Sequence, residues 1–414
     1  MLHCALAVAV VVTLICGCTT TPTRLNKTAD LAPLLQSCSN RFDRVLAAPE
    51  IFRAQVLLAE VVTNRQGRAV LQRSGYRVDA EYFYPASAIK LCAAVAALQT
   101  IEQLQAETAA SDLLDVPLEI APLFPGDAAQ TNDVSNLAGG HITVAQELRK
   151  LALVSGNEAF NRLYDLVGHA ALNEEMHALG LGSVVINHRL SEARAIPDPR
   201  ASAAVTFRLT NHEPIVVPAR SSQLRLTNRS PGLLVGSGYL QGEQLISTPM
   251  DFSTRNGISL VDLQNLLVKA ARPDIDLGTP ALRLSASHRE RLLQAMTQYP
   301  RESRNPSYPA DRYPDDYGKF LLPGIRRVCP SMTPGERVEI TGKIGRAYGF
   351  SIENAYVLNP RTGRAVFVAA VLYTNADGVL NDDKYEYETV ADPFFADLGE
   401  LIARAWLGEP SGEK

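Results

Sequence analysis

The two ends of the chain constrain its fold more tightly than anything between them. Residues 338–341, 351–358 and 365–373 are rich in β-branched and aromatic side chains and read as three strands, the last two joined by Asn359-Pro360-Arg361-Thr362-Gly363. An apolar helical pattern over 393–407 follows. Near the other end, 54–63 and 69–78 read as a hairpin around Asn64-Arg65-Gln66-Gly67-Arg68. Leu31, Leu34, Leu35, Phe42, Val45 and Leu46 before it predict an amphipathic helix over 31–47. A hairpin at one end, three strands and a helix at the other, and helices between them predict one α+β domain whose sheet is completed when the two ends meet.

The interior fits that plan. Helical spacing recurs over 142–154, 157–166 and 170–179, and again over 259–271 and 287–296. From Ile196 onward Pro197, Pro199, Pro214, Pro218, Pro231 and Pro249 punctuate short strand-like pieces such as Ile215-Val216-Val217 and Leu233-Leu234-Val235, so 200–256 reads as an insertion. Residues 299–323, rich in Pro, Tyr, Arg and Asp, read as a long ordered loop.

The start of the chain has a different purpose. An apolar run from Ala5 to Ile15 is too short to span a bilayer as a relaxed helix and matches the core of an export signal. Ile15-Cys16-Gly17-Cys18 resembles a bacterial lipobox, which makes Cys18 the lipidation site, 1–18 the signal and 19–30 a tether rich in Thr, Pro and Asn. The flanks depart from the usual form, since no Lys or Arg precedes the apolar run; simple secretion and an uncleaved anchor are the alternatives. All three export the chain to the cell envelope or periplasm. Once Cys4, Cys16 and Cys18 are set aside, Cys38, Cys92 and Cys329 remain, an odd number that commits to no disulfide. A net charge of −4 with interspersed signs excludes a nucleic-acid footprint.

Three short stretches carry chemistry. In Tyr84-Pro85-Ala86-Ser87-Ala88-Ile89-Lys90, the serine and lysine share one face of the helix that continues through Leu98, a nucleophile and a base one turn apart. Ser155-Gly156-Asn157 lies between two predicted helices, where a loop presents a hydroxyl and a carboxamide together. Lys343-Ile344-Gly345 follows a strand start and precedes Arg346, setting a lysine beside a glycine that admits close approach to the backbone. Singly, each has an ordinary reading: a capping serine with a surface lysine, a helix N-cap, an exposed strand lysine.

Together and in this order they resemble the S-x-x-K, S-D-N and K-T-G motifs of class A β-lactamases and penicillin-binding proteins. The resemblance spans roughly 31–407, within a domain set at 31–410. It implies an antiparallel sheet flanked by terminal helices, with a mostly helical second lobe. By resemblance Ser87 is acylated, Lys90 is its neutral base, Ser155 relays a proton, Lys343 supplies positive potential, Asn157 holds an acylamino group, and the N–H groups of Ser87 and Arg346 form an oxyanion hole beside Gly345. The motifs also depart from the pattern. Ile344 stands where a threonine hydroxyl helps bind a substrate carboxylate, which leaves Arg346 as the candidate replacement, and Gly156 stands for an aspartate. The deacylating glutamate is expected near Asn187; the nearest carboxylate is Glu192, in Leu190-Ser191-Glu192-Ala193. The resulting expectation is an exported monomeric serine hydrolase acting on a β-lactam or a peptidoglycan-like small molecule, without metal or cofactor. A D-alanyl-D-alanine peptidase or esterase on the same fold, and a cell-envelope binding lipoprotein with little catalysis, are the alternatives.

Overall fold

The structure is a computed structural model and describes residues 28–408, apart from 39, 109, 137–138 and 211. The expected lipidation site Cys18, the signal over 1–18 and residues 19–27 of the tether lie outside the described residues.

A seven-stranded sheet is built from both ends of the chain. Its strands are β1 (Ala29–Asp30), β2 (Gln55–Thr63), β3 (Ala69–Tyr76), β4 (Glu339–Gly342), β5 (Gly345–Ala347), β6 (Phe350–Leu358) and β7 (Ala365–Tyr373). They lie in the order β1-β3-β2-β7-β6-β4, with β5 continuing beside β6 where β4 stops. All pairings are antiparallel except the two-residue β1 against β3. The central strand β7 is buried along its whole length, as its unbroken apolar run Ala365 to Tyr373 requires.

Each face of the sheet covers one core. On one side Val56, Leu58, Val366, Val368 and Ala370 meet the terminal layer: α1 (Ala32–Gln36), α2 (Asp43–Leu46), α9 (Leu322–Val328) and α10 (Asp392–Ile402). On the other, Leu57, Ala59, Phe367 and Ala369 meet a helical lobe built on α3 (Lys90–Thr108), α4 (Val144–Leu153), α5 (Asn157–Val167), α6 (His169–Ala178), α7 (Leu260–Ala271) and α8 (Ala286–Thr297). The lobe is centred on α3, whose first nine residues are buried on every side, as a helix apolar all round must be.

Three elements differ from the sequence reading. The single helix expected over 31–47 is two short helices, broken where Ser37, Cys38 and Asn40 intervene and Asn40 turns left-handed with φ 66°. The loop expected over 299–323 ends in α9, whose Pro323 sits in the first turn, where a missing N–H costs nothing. Residues 200–256, expected as an insertion, pair with the rest of the chain near both of their ends. Val205–Phe207 pairs with Leu118–Ile120 and with Ile215–Val217, while the hairpin Gly238–Gln241/Gln244–Ile246 pairs with Val379–Leu380 just after β7. Cys38, Cys92 and Cys329 are free thiols.

Candidate active site

Ser87 is set out by its surroundings. From Tyr82 to Leu98 every residue is buried except Ser87. It lies in a 3-10 turn, Ala86–Ile89, that precedes α3 rather than in the α-helix itself, and the Lys90 N–H donates to the Ser87 carbonyl. In a 3-10 turn side chains three apart eclipse, so Ser87 and Lys90 point the same way more closely than on an α-helix. Entry to the turn is strained: Ala86 has φ 47°, a left-handed value that L-residues with a Cβ rarely adopt. Tyr84, Phe252 and Tyr348 support it, with ring centroids 5.1 to 5.6 Å apart, so a residue more than 150 positions further along the chain braces the nucleophile turn. The Ser87 hydroxyl makes no hydrogen bond to any described residue.

Lys90 is fully buried at the start of α3, and its amine meets the second motif. Nζ donates to Ser155 O at 2.5 Å and to Asn157 Oδ1 at 2.7 Å, and lies 3.3 Å from Ser155 Oγ. Burial pushes its pKa well below the usual lysine value; the nearby Lys343 ammonium pushes the same way and Glu158 opposes both. A neutral amine has two N–H groups and one lone pair. Those match the three contacts when the carbonyl and the carboxamide accept and the Ser155 hydroxyl faces the lone pair.

The Ser155 hydroxyl is shared. Lys343 Nζ, on the residue just past the end of the β4 pairing, donates to Ser155 Oγ at 2.9 Å and to Ile344 O at 2.8 Å. Burial lowers Lys343 to about 7, with the Glu353 carboxylate opposing. Ser155 itself is left-handed, φ 58°, which turns its carbonyl toward Lys90 while its hydroxyl reaches both amines. The structure thus joins Lys90, Ser155, Asn157 and Lys343 in one hydrogen-bonded group beside Ser87. Asn157 Nδ2 makes no hydrogen bond to any described residue and remains a donor for a ligand.

Gly345 has a different role from the one its motif suggested. A Cβ there would stand 2.4 Å from Pro85 O, 2.8 Å from Ala88 N and 3.1 Å from Ser87 N. The glycine admits the protein's own nucleophile turn against β5, which brings the backbone of the Lys343 strand to the Ser87 N–H.

Two expected residues are engaged elsewhere. Arg346 was expected to replace the missing threonine as a carboxylate ligand; instead it forms an ion pair with Asp392 of α10, and its Nε donates to Ser351 Oγ at 3.2 Å. Its guanidinium lies between the Phe320 and Tyr387 rings, 4.3 and 4.7 Å from their centroids, and its charge is already answered. Glu192, the expected deacylating base, is bound by Arg194 through its backbone N–H, Nε and Nη2 at 2.8 to 3.0 Å. Those hydrogen bonds hold its carboxyl below the usual range, the opposite of what a base at neutral pH needs. Leu190 meets α5 more closely: its N–H donates to Asn161 Oδ1 at 2.9 Å and its carbonyl accepts from Nδ2 at 3.1 Å, while Glu192 Oε2 lies 3.5 Å from that Nδ2. Asn187 is also spent, since its amide donates to Leu226 O and Thr254 O.

Sequence reasoning missed the anchor that replaces the aspartate absent at Gly156. Asp133 accepts from Lys150 Nζ and Arg162 Nη1, each at 2.7 Å, and Glu147 accepts from the same two cations at 2.7 and 3.1 Å. This network locks the end of α4 to α5 on either side of the Ser155 loop. The only sequence signal was Glu147 and Lys150 at helical spacing, which ordinarily marks a solvent-exposed pair.

This architecture is a β-lactamase-like serine hydrolase fold. Residues 70–213, which hold Ser87, Lys90, Ser155 and Asn157, match the model of the Beta-lactamase enzyme family. Among solved structures the chain is similar to PBP-A, at 16% identity with 92% of this chain and 98% of that one covered and a TM-score of 0.49. It is also similar to a β-lactamase from Desulfarculus baarsii, at 17% identity with 91% and 99% covered and a TM-score of 0.47. A β-lactamase from Burkholderia phymatum is similar at 16% identity, with 89% and 98% covered and a TM-score of 0.47. No curated protein matches the sequence at a significant level.

Proposed function

We propose that the protein is an exported serine hydrolase of the class A type that forms an acyl-enzyme on Ser87 with a β-lactam or a related peptidoglycan-like amide. The observation that carries this reading is the Ser155 hydroxyl held between two buried lysine amines, 3.3 Å from Lys90 and 2.9 Å from Lys343, beside an accessible serine. Ser87 Oγ attacks the acyl carbon and its proton passes to Lys90 as that amine's lone pair turns from the Ser155 hydroxyl to Ser87; the carbonyl electrons move to an oxyanion facing the Ser87 and Arg346 N–H groups. As the oxyanion collapses, the C–N bond breaks, and the leaving nitrogen takes a proton from Ser155, which is resupplied by Lys90. Water then cleaves the ester. Attachment to a membrane through Cys18 and action as a monomer in the cell envelope complete the proposal.

Arg194 on Glu192 and Leu190 in the Asn161 clamp favour a second reading for the last step. With Glu192 bound by Arg194, deacylation falls back on Lys90 and is slow, which is peptidase-like or esterase-like behaviour rather than proficient β-lactamase turnover. Intact-protein mass spectrometry after mixing with a panel of penicillins tests both. A transient adduct on Ser87 supports hydrolysis and a persistent one supports the peptidase-like reading. No adduct with either a penicillin or a fluorophosphonate refutes acyl transfer and leaves a binding lipoprotein.

A further inference from the structure

Behind the strand that carries Lys343 lies a second group of buried charges that the acyl-transfer steps do not use. Glu353 on β6 is completely buried; Oε2 accepts a long hydrogen bond from the Leu321 N–H at 3.3 Å, and Oε1 has no partner among the described residues. The register runs from Gly342 opposite Ala355 to Gly345 opposite Ile352, so Glu353 falls opposite Ile344, the neighbour of Lys343. Lys319, also buried, donates to Met296 O at 2.7 Å and to Ile340 O at 2.5 Å, on the same edge of the sheet. Among the described residues no hydrogen bond or ion pair joins the carboxylate to either ammonium. A carboxylate enclosed with a free oxygen is costly to the fold unless nearby positive charge offsets it.

We propose that Glu353 is a positioning residue for the reaction: its carboxylate, enclosed behind the Lys343 strand and steadied by Lys319, is the counter-charge that keeps the Lys343 ammonium protonated against Ser155. This rests on the reading of Lys343 as part of the acyl-transfer site. The other charged groups around Lys343 do not supply that counter-charge. Lys90 of α3 repels it, and Arg346 of β5 is neutralised by Asp392 of α10. Arg337 and Glu302, beside Lys319, pair with each other, and Glu158 of α5 acts on Lys90. The proton affinities agree with the geometry. Burial lowers Lys343 to about 7 and Lys319 to about 8 and raises Glu353 to about 7, and in each case the opposite charge in this group pulls back.

The test is the titration of Lys343 followed by NMR in lysine-labelled protein, with its signal assigned through Lys343→Arg. In Glu353→Gln the Lys343 midpoint should fall by about one pH unit or more, a tenfold loss of proton affinity, while Glu353→Asp keeps it near the wild-type value. A merely structural role would make Asp as damaging as Gln and leave the midpoint in place. The Gln variant should fold, because Glu353 binds its proton more tightly in the folded chain than in the unfolded one. Its ionised form is therefore a cost above about pH 7 that the amide removes, and the urea midpoint there should not fall. An unmoved Lys343 titration in folded Glu353→Gln overturns the proposal whether or not the protein acylates. If wild type takes no label on Ser87, the proposed function fails, and the titration still decides the role of Glu353.

Discussion

Replacing Gly345 by alanine tests the contact on which the site geometry depends. The added Cβ would meet Pro85 O at 2.4 Å, Ala88 N at 2.8 Å and Ser87 N at 3.1 Å, all backbone atoms that no rotamer change can clear. Carbon and oxygen without a hydrogen bond between them prefer roughly 3.5 Å, so β5 and the nucleophile turn must part by about 1 Å. Overpacking of this kind costs about 1–3 kcal/mol, a loss of a few degrees in Tm for a domain of this size. The same movement separates Ser87 from the strand carrying Lys343 and the Arg346 N–H, and about 1 Å of misplacement is worth ~10²-fold in rate. Acylation should therefore fall far more than stability. Stopped-flow labelling of Ser87 and a thermal melt measure the two, with Gly182→Ala as control, since a Cβ there meets nothing within 4 Å. Unchanged labelling with a lowered Tm would show that Gly345 serves packing alone; no change in either would mean that turn and strand do not touch as described.

Ser87→Ala should abolish covalent labelling with little change in Tm, because its hydroxyl holds no described neighbour; a label that persists by mass spectrometry removes Ser87 from its role. The acylation rate should rise with pH while Lys90 loses its proton, then decline as Lys343, at about 7, becomes neutral. In Lys343→Arg the guanidinium keeps its charge and the alkaline decline should vanish; a decline that remains in this variant's pH profile would assign it to another group. Asp133→Asn should weaken the lock between α4 and α5 and slow acylation, since Asp133 is held far below the usual carboxylate range by Arg162 and Lys150 despite its burial. Its stability advantage should likewise shrink as pH falls through the acid range, and a denaturant midpoint that follows wild type at every pH would refute the anchoring role. Cys18→Ser should move the protein from the membrane fraction to the soluble one, and unchanged fractionation would point to an uncleaved anchor.

The sequence carried the frame of this molecule because that frame depends on periodicity. The buried run Ala365 to Tyr373 and the hairpin around Gly67 are strands by pattern alone, and Ser87, Lys90, Ser155 and Lys343 were legible as three ordered motifs. What stayed hidden was set by partners distant in the chain. Nothing near Arg346 announces Asp392, 46 residues later, so a free cation and a spent one read alike. Glu192 looked like an available base because its capture by Arg194, two residues on, depends on the turn at Ser191, φ 43°. Glu353 was invisible for another reason. In a strand a lone carboxylate predicts an exposed face, and the residue that meets it, Leu321, lies 32 positions earlier in the chain.

Backbone strain shows why the site needs so much support. Ala86, Ser155 and Tyr348 are each left-handed, with φ 47°, 58° and 54°, and they stand at the nucleophile turn, the second-motif loop and the β5–β6 turn. Such conformations cost on the order of 1–3 kcal/mol each and persist only where the surroundings over-determine them. Different devices hold each one. The Tyr84, Phe252 and Tyr348 rings fix the first and third together, and the buried Asp133–Glu147–Lys150–Arg162 network fixes the second. Phe252 comes from the segment before α7 and Asp133 from the loop before α4, so both supports lie outside the motifs they serve. The motif residues alone are therefore insufficient to build the site. Lys90 can reach Ser155 O, Ser155 Oγ and Asn157 Oδ1 at once only because two remote segments hold their backbones in conformations those residues would not choose.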